Sequence, residues 1–179
     1  MIGTFGRFSV EKGFSVLLKG FDQFLKNFKE QPPENWPRLV VGGVGELQEP
    51  LKALTVKLDI ARFVTFTGLV LEESKAEFLH ELDIYVCPSL AEGFGIALVE
   101  AMAAGLPCLS SDLTVLKEVG GDTVDFFKAG DPGDLSAKLY ELWKDPVLRT
   151  RLGETAGDRA AKNFTLEKFW NEYQKLYNP

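Results

Sequence analysis

Short apolar runs alternate with segments of helical periodicity along the chain. Each run is short enough for a buried strand and is followed by turn-forming residues such as glycine, proline or serine. Strands are predicted at residues 2–5, 38–41, 63–67, 84–87, 107–110 and 124–127. Between them, apolar residues recur at the spacing of amphipathic helices. Repeated strand–helix–strand units predict a parallel sheet that is covered by helices on both faces.

Several helices carry recognisable start signals. The first is predicted from apolar residues spaced between Phe14 and Phe28, and others over 47–58, 74–82 and 96–104, with Ser74 as an N-cap. Asp131 followed by a proline opens a helix to about Lys144. Closing helices are predicted within 146–179, at about 146–163 and 165–176. The chain is interpreted as one doubly wound, Rossmann-like α/β domain over 1–179.

Composition narrows the class of protein. The chain has 179 residues, 45% of them hydrophobic, and a net charge of −6, which argues against a general nucleic-acid binder. Cys87 and Cys108 lie in apolar runs without metal-ligand spacing, so buried free thiols are expected. No apolar stretch approaches a membrane span, and the N-terminus has no signal-peptide pattern. A cytoplasmic protein is predicted, and peripheral membrane contact stays open.

The densest chemical signal follows the fourth predicted strand. From Glu92 the chain turns on two glycines and opens a helix, whose free amides and dipole favour an anion. Glu100 lies one helical turn beyond Ile96, and helical side chains tilt toward the N-terminus, so its carboxylate can reach back beside the anion. A carboxylate suits sugar hydroxyls and repels phosphate. Solvated surface charge is the competing interpretation, which the glycines and apolar flanks disfavour.

Arg7 and Lys12 supply cations at the end of the first predicted strand. Together they can neutralise a diphosphate leaving group, which Arg7 is able to bind through two hydrogen bonds. Each alone is better explained as a solvated loop residue, but Gly6 and Gly13 bracket the pair. No Asp-x-Asp occurs in the sequence, so a metal-clamped diphosphate is not expected. His80, the only histidine, is expected on the surface.

These motifs resemble those of the retaining GT-B glycosyltransferases of the large group 1 family (family 4). The matches are Gly-Arg-x4-Lys-Gly at 6–13, E-x7-E at 92–100 within EGFGIALVE, and the Ala-Met-Ala-Ala-Gly-Leu-Pro that follows. Weaker matches at 64–68 and 130–132 and in the closing helices extend the resemblance over essentially the whole chain. The E-x7-E segment in this setting is highly specific, whereas the glycines alone are weak.

The resemblance implies a role for each matched residue. Arg7 and Lys12 should hold the donor diphosphate and Glu92 should face the donor sugar, so these three are the expected catalytic residues. Glu100 should bind the ribose. The remaining residues expected in the donor site are Gly6; Val70 and the side chain of Leu98, which should flank the base; and Phe94, Gly95, Ile96 and Ala97, whose amides should meet the sugar and phosphates.

The resemblance covers the carboxy-terminal half of the two-domain family pattern. It implies the donor-binding domain of a retaining, metal-independent enzyme that moves a hexosyl group from a nucleoside-diphosphate sugar to an acceptor such as a glycan or lipid-linked glycan. No cofactor or metal is expected. The acceptor site is expected on a missing N-terminal domain or subunit, so the chain alone should be inactive. The final apolar and aromatic residues should cross to that domain and be partly exposed, namely Phe164, Phe169, Trp170, Tyr173, Leu176 and Tyr177.

Three other functions remain as alternatives. One is a non-catalytic nucleotide-sugar-binding module or interaction subunit. Another is a non-hydrolysing sugar-nucleotide epimerase, which shares the fold but lacks this E-x7-E arrangement. The third is an interaction protein with a vestigial site, which the joint presence of both cations and both glutamates disfavours. The donor base, the hexose and the acceptor are not specified by the sequence.

Overall fold

A computed structural model describes residues 1–177, apart from the side chains of Phe169, Glu172, Leu176 and Tyr177. Its strands are β1 (Ile2–Phe5), β2 (Leu39–Gly42), β3 (Val64–Gly68), β4 (Ile84–Cys87), β5 (Cys108–Ser111) and β6 (Asp125–Phe127). They form one parallel sheet in the order β3-β2-β1-β4-β5-β6. The direction of winding reverses between β1 and β4. Open parallel sheets bind ligands at such a switch point, beyond the carboxyl ends of the strands.

Helices cover both faces of this sheet and confirm the doubly wound fold. They are α1 (Phe14–Leu25), α2 (Gln48–Lys57), α3 (Lys75–His80), α4 (Ile96–Ala103), α5 (Thr114–Gly120), α6 (Pro132–Lys144), α7 (Pro146–Asn163) and α8 (Leu166–Tyr177). On one face α1 packs against α6, and on the other α4 packs against α7. Each face has its own apolar cluster, because both faces of a parallel sheet must be buried. None of the described helices combines the length and apolarity that crossing a bilayer requires.

Two local features differ from the sequence prediction. Helix α5 was not predicted, because it is only seven residues long and no side chain caps its start. Ser74 was predicted to cap α3 and does not do so. It belongs to a tight turn over Glu72–Ser74, its backbone is helical, and its hydroxyl donates to the carbonyl of Leu71 at 3.1 Å. The extended backbone that lets an N-cap side chain turn back to the helix amides is therefore absent at this residue.

Other local predictions are confirmed. Asp131 accepts hydrogen bonds from the amides of Gly133 and Asp134 at 2.9 and 3.1 Å and so caps α6. Cys87 and Cys108 are free and buried, and burial raises the pKa of both thiols. A thiol that stays protonated is a poor nucleophile, so both cysteines serve packing.

Candidate functional site

The loops that follow β1 and β4 touch through their backbones. Gly13 precedes α1 with φ 64°, and a Cβ added there would lie 1.9 Å from the carbonyl oxygen of Pro88. From the other loop, the amides of Leu90 and Ala91 donate to the carbonyl of Glu11 at 2.7 and 3.2 Å. Glycine is the residue that tolerates both this backbone angle and this approach. The contact fixes the segment that carries Lys12 against the segment that carries Glu92.

Helix α4 begins without a side-chain cap. Its N-cap is Gly95, with φ 95°, and a Cβ there would lie 2.6 Å from the side chain of Leu116. The amides of Leu98 and Val99 already donate to the carbonyl of Gly95. Amides that precede Leu98 have no partner one turn earlier within the helix, as at the start of any α-helix. The predicted helix start is therefore present at the switch point, and its binding of an anion stays a prediction.

Glu92 is held by three donors. Lys12 Nζ donates to Oε2 at 2.7 Å and Ser89 Oγ to the same atom at 3.2 Å, while the Gly93 amide donates to Oε1 at 3.2 Å. Ser89 is itself buried, and its carbonyl accepts from Ser111 Oγ at 2.6 Å. Only 14% of the Glu92 side chain is exposed. This carboxylate is therefore a fixed and largely buried group, and the competing interpretation as a solvated surface charge does not describe it.

Glu100 pairs with a residue that the motifs did not identify. Lys75 Nζ donates to Glu100 Oε1 at 2.6 Å and also to Glu72 Oε2 at 2.6 Å. The hydrogen bonds to Glu100 and to Glu72 raise the pKa of Lys75, so its ammonium is charged at neutral pH. Its only sequence signal is a position shortly after the third predicted strand. The contact with Glu100 spans 25 residues of chain and depends on the fold.

A cleft of about 330 Å³ opens at the carboxyl ends of β1 and β2, beside the loop after β3. It brings together three of the predicted donor residues, Gly6, Arg7 and Val70, and adds Lys75 to its wall. Its other lining residues are Phe5, Gly42, Gly43, Val44 and Leu69. Cations and apolar surface therefore share one concave site, as binding a nucleotide requires.

The other eight predicted site residues do not line this cleft, namely Lys12, Glu92, Phe94, Gly95, Ile96, Ala97, Leu98 and Glu100. Leu98 is completely buried among the apolar side chains beneath α4, so the prediction that its side chain flanks a base is wrong in this structure. Leu98, Ala101 and Met102 recur at helical spacing and form the inward face of α4. Phe94 and Ile96, in contrast, are exposed, and the intervening Gly95 is buried.

The closing segment shows the predicted exposure where it is described. Trp170 and Tyr173 are exposed and stack on each other, with ring centres 6.4 Å apart. Phe164 is half-buried and packs edge-on against Phe94 at 5.9 Å, which joins this segment to the start of α4. Three further predicted residues, Phe169, Leu176 and Tyr177, have side chains outside the described residues. A crossing to another domain stays a prediction.

Metal-binding groups and the histidine can be located in the described part of the chain. Within it, no group of three or more histidine, cysteine or acidic side chains is arranged to hold a metal ion. His80 lies exposed at the end of α3, with Nδ1 2.7 Å from the carbonyl oxygen of Ala76, so its predicted surface position is confirmed. Metal independence of the reaction stays a prediction.

Comparison with known proteins identifies a family. The model of the family described as "Glycosyl transferases group 1" matches residues 1–159. A phosphatidyl-myo-inositol mannosyltransferase from Mycobacterium leprae (strain TN) is 31% identical over 169 residues, which are 93% of this chain and 42% of that protein. The chain thus spans less than half the length of this relative.

Solved structures agree on the fold. A mutant of S. aureus TarM in complex with Fondaparinux, alpha-GlcNAc-glycerol and UDP superposes with a TM-score of 0.89 at 18% identity, over 99% of this chain and 35% of that one. The C-terminal domain of the group 1 family protein LpcC from Francisella tularensis superposes with a TM-score of 0.79 at 22% identity. The match covers 92% of this chain and 86% of that one. The six-stranded sheet with its helices matches the C-terminal Rossmann-like domain of the GT-B fold. The chain belongs to the group 1 family of glycosyltransferases.

Proposed function

We propose that this chain is the donor-binding domain of a retaining, metal-independent glycosyltransferase that moves a hexosyl group from a nucleoside-diphosphate sugar to a glycan or lipid-linked glycan. The observation that carries the proposal is a pair of lysine–glutamate contacts beside the start of α4. Lys12 meets Glu92 at 2.7 Å, and Lys75 meets Glu100 at 2.6 Å. Each pair places a hydroxyl-binding carboxylate next to a cation at the switch point of the sheet.

In this proposal the donor diphosphate binds Arg7, Lys12 and the first amides of α4. A helix start and two cations neutralise the charge that grows on the leaving diphosphate as the sugar departs. Lys12 then lies between the phosphates and Glu92, so its charge also keeps the carboxylate from repelling them. Glu92 accepts hydrogen bonds from the hexose hydroxyls, and Glu100 accepts them from the ribose. UDP in the TarM complex and the activity in the mannosyltransferase's name support a nucleotide-sugar ligand for this fold and family.

Retention of the sugar's configuration is proposed to follow from front-face attack. The acceptor hydroxyl then attacks the same face of the donor sugar from which the diphosphate leaves. The departing phosphate helps to take the acceptor proton, and no side chain of the described site is assigned as a nucleophile. The chain then contributes electrostatics and positioning, and positioning alone supplies roughly 7–11 kcal/mol in well-oriented reactions. The acceptor is proposed to bind on another domain or subunit, in keeping with relatives that are about twice as long as this chain.

Nucleoside-diphosphate binding without added metal tests the proposal. We expect the chain to bind at least one of UDP, GDP and ADP in a calorimeter, equally well with and without a chelator. The expectation rests on the cations and helix start of the site and on the absence of Asp-x-Asp from the sequence. Affinity should fall as salt rises, because charge pairing carries much of it. Binding that needs a divalent metal would contradict metal independence, and no binding of any of the three would remove the donor-site assignment.

Replacing either cation should weaken diphosphate binding without unfolding the domain. Arg7→Ala and Lys12→Ala should each lower affinity at least about tenfold, because a hydrogen bond to a charged group is lost. Arg7 is exposed in a loop and Lys12 is the last residue of a short 3-10 helix, so the melting temperature should move by only a few degrees. Lys52→Ala is the matched control, since Lys52 is in an exposed pair with Glu49 within α2. Variants that melt much earlier yet bind nucleotide normally would reassign the two cations to structure.

Substitutions of the two glutamates should weaken the binding of different ligands. Glu100→Gln should weaken binding of plain nucleoside diphosphate by about 1.5–3 kcal/mol, the value of a hydrogen bond to a charged group. Glu92→Gln should leave that binding nearly unchanged and should weaken binding of the nucleotide sugar, because its carboxylate is assigned to the hexose. Titrating both variants with a diphosphate and with its hexose conjugate gives the comparison. Equal losses for both ligands in both variants would show that this division of roles is wrong.

A further inference from the structure

Lys75 contacts residues that follow strands on both sides of the switch point. It is the first residue of α3, which follows the edge strand β3, whereas its partner Glu100 lies on α4, which follows β4 beyond the switch point. Its ammonium also lies 6.0 Å from the centre of the Phe5 ring, at the end of β1. Lys75 therefore lines the cleft and contacts elements on both sides of the switch point.

The contact with Glu100 differs from an ordinary surface ion pair. Lys75 is 18% exposed and Glu100 26%, whereas Glu72, the other partner of Lys75, is 85% exposed. Solvent and salt screen an exposed pair strongly and a half-buried pair much less. Glu100 is therefore the partner that fixes the ammonium, and Glu72 contributes little to its position.

The same contact leaves half of the Glu100 carboxylate available. Oε1 accepts from Lys75, and in the described part of the chain no donor reaches Oε2. A side chain that is already fixed at one oxygen loses less rotamer freedom when a ligand binds the other. We infer that Lys75 is a positioning residue that holds Glu100 for the ribose hydroxyls and thereby sets the preference of the site for ribonucleotides over deoxyribonucleotides. This inference rests on the proposed function, in which Glu100 binds the ribose.

The cleft that Lys75 lines supports this role. Arg7 contributes a cation for a phosphate, and Val44, Leu69 and Val70 contribute apolar surface for a base. The ribose of a nucleotide lies between its base and its phosphates. A nucleotide that uses both features of the cleft therefore brings its ribose toward Lys75, the lining residue whose ammonium is bonded to Glu100.

Calorimetry with matched nucleotides tests the inference. The full chain is titrated with UDP, GDP and ADP and with the 2′-deoxy form of each. The wild-type chain should bind the ribonucleotide roughly tenfold tighter than its deoxy form, because one hydroxyl to a charged acceptor is lost. Lys75→Met should reduce this ratio to about threefold or less, and Lys75→Arg should keep most of it. Loss of the cation should weaken binding of the ribonucleotide and of its deoxy form alike. Its effect on phosphate binding therefore cancels in the ratio of the two affinities.

Two control variants isolate the contact with Glu100. Glu72→Gln removes only the exposed partner of Lys75, and Lys52→Met breaks a lysine–glutamate pair on α2, so both should keep the wild-type ratio within about twofold. Lys75→Gln repeats the test with a polar side chain, so that poor folding of the methionine variant does not end the experiment.

The possible outcomes separate this inference from the proposed function. A ribose preference that persists in Lys75→Met and Lys75→Gln would overturn the inference and leave nucleotide binding by the chain intact. A wild-type chain that binds nucleotides without ribose preference would remove the ribose role of Glu100, and the inference with it. Failure to bind any of the six nucleotides would overturn the proposed function and this inference together.

Discussion

The chain alone, given a donor and an acceptor, is expected to transfer no sugar. The groups proposed for the donor lie at the switch point, whereas the acceptor is proposed to bind on another domain or subunit. Without positioning, a reaction forgoes roughly 7–11 kcal/mol, which corresponds to at least about 10⁵ in rate. An open half-cleft also leaves the reacting carbon in water, where charge stabilisation is weaker. Slow hydrolysis of the donor is the most that we expect.

Sugar transfer is measured directly with radiolabelled UDP-, GDP- and ADP-hexoses. The chain is incubated with each donor and a lysate of candidate acceptors, and labelled product is separated from free hexose. A longer polypeptide that contains this chain serves as the positive control, since it should transfer if it supplies the acceptor side. Robust, acceptor-dependent transfer by the chain itself would show that it is a complete enzyme. Donor binding without transfer in the longer polypeptide would favour the alternative of a nucleotide-sugar-binding module.

Gly13→Ala is expected to destabilise the domain strongly, although it adds only one methyl group. The new Cβ would lie 1.9 Å from the Pro88 carbonyl oxygen, a backbone atom that cannot rotate away, and φ of 64° is unfavourable for alanine. Left-handed strain and overpacking together should cost at least about 3 kcal/mol. The two loops should also separate, which would pull Lys12 from Glu92 and weaken nucleotide binding.

Gly105→Ala provides the matched control for this variant. Gly105 has a similar φ of 73°, but a Cβ there meets nothing within 4 Å, so only the backbone strain of about 1–2 kcal/mol remains. Urea unfolding of both variants gives the two free energies, provided that each transition is two-state. Equal decreases in the free energy of unfolding of the two variants would mean that the close approach to Pro88 does not hold the loops together.

Local patterns were enough to predict the framework of the site. Strand positions followed from short apolar runs, since a buried parallel strand must be apolar on both faces. The glycines after β4 and the spacing of Glu92 and Glu100 follow from neighbours in the chain, and so does the start of α4. These features depend on backbone angles and helix geometry over a few residues, which the sequence specifies directly.

Helix boundaries were less predictable where local signals were weak. The unpredicted α5 has no capping side chain, and its seven residues gain their stability from packing of Leu116 and Val119 in the core. Ser74 has the residue type of a cap, but the tight turn that leads into α3 sets its backbone in the helical region. The residue type shows that a side chain is able to cap a helix, whereas the backbone angles of the residue decide whether it does so.

The partners of the two glutamates were decided by the tertiary structure. Lys12 and Glu92 are 80 residues apart, and Lys75 and Glu100 are 25 apart on helices that follow different strands. Burial of Leu98 likewise depends on which face of α4 meets the sheet. By itself the sequence determined the strands, the glycine turn and the presence of cations and carboxylates. The strand order around the switch point decided which charges meet, because ion pairs over such separations form only when the fold brings their helices together.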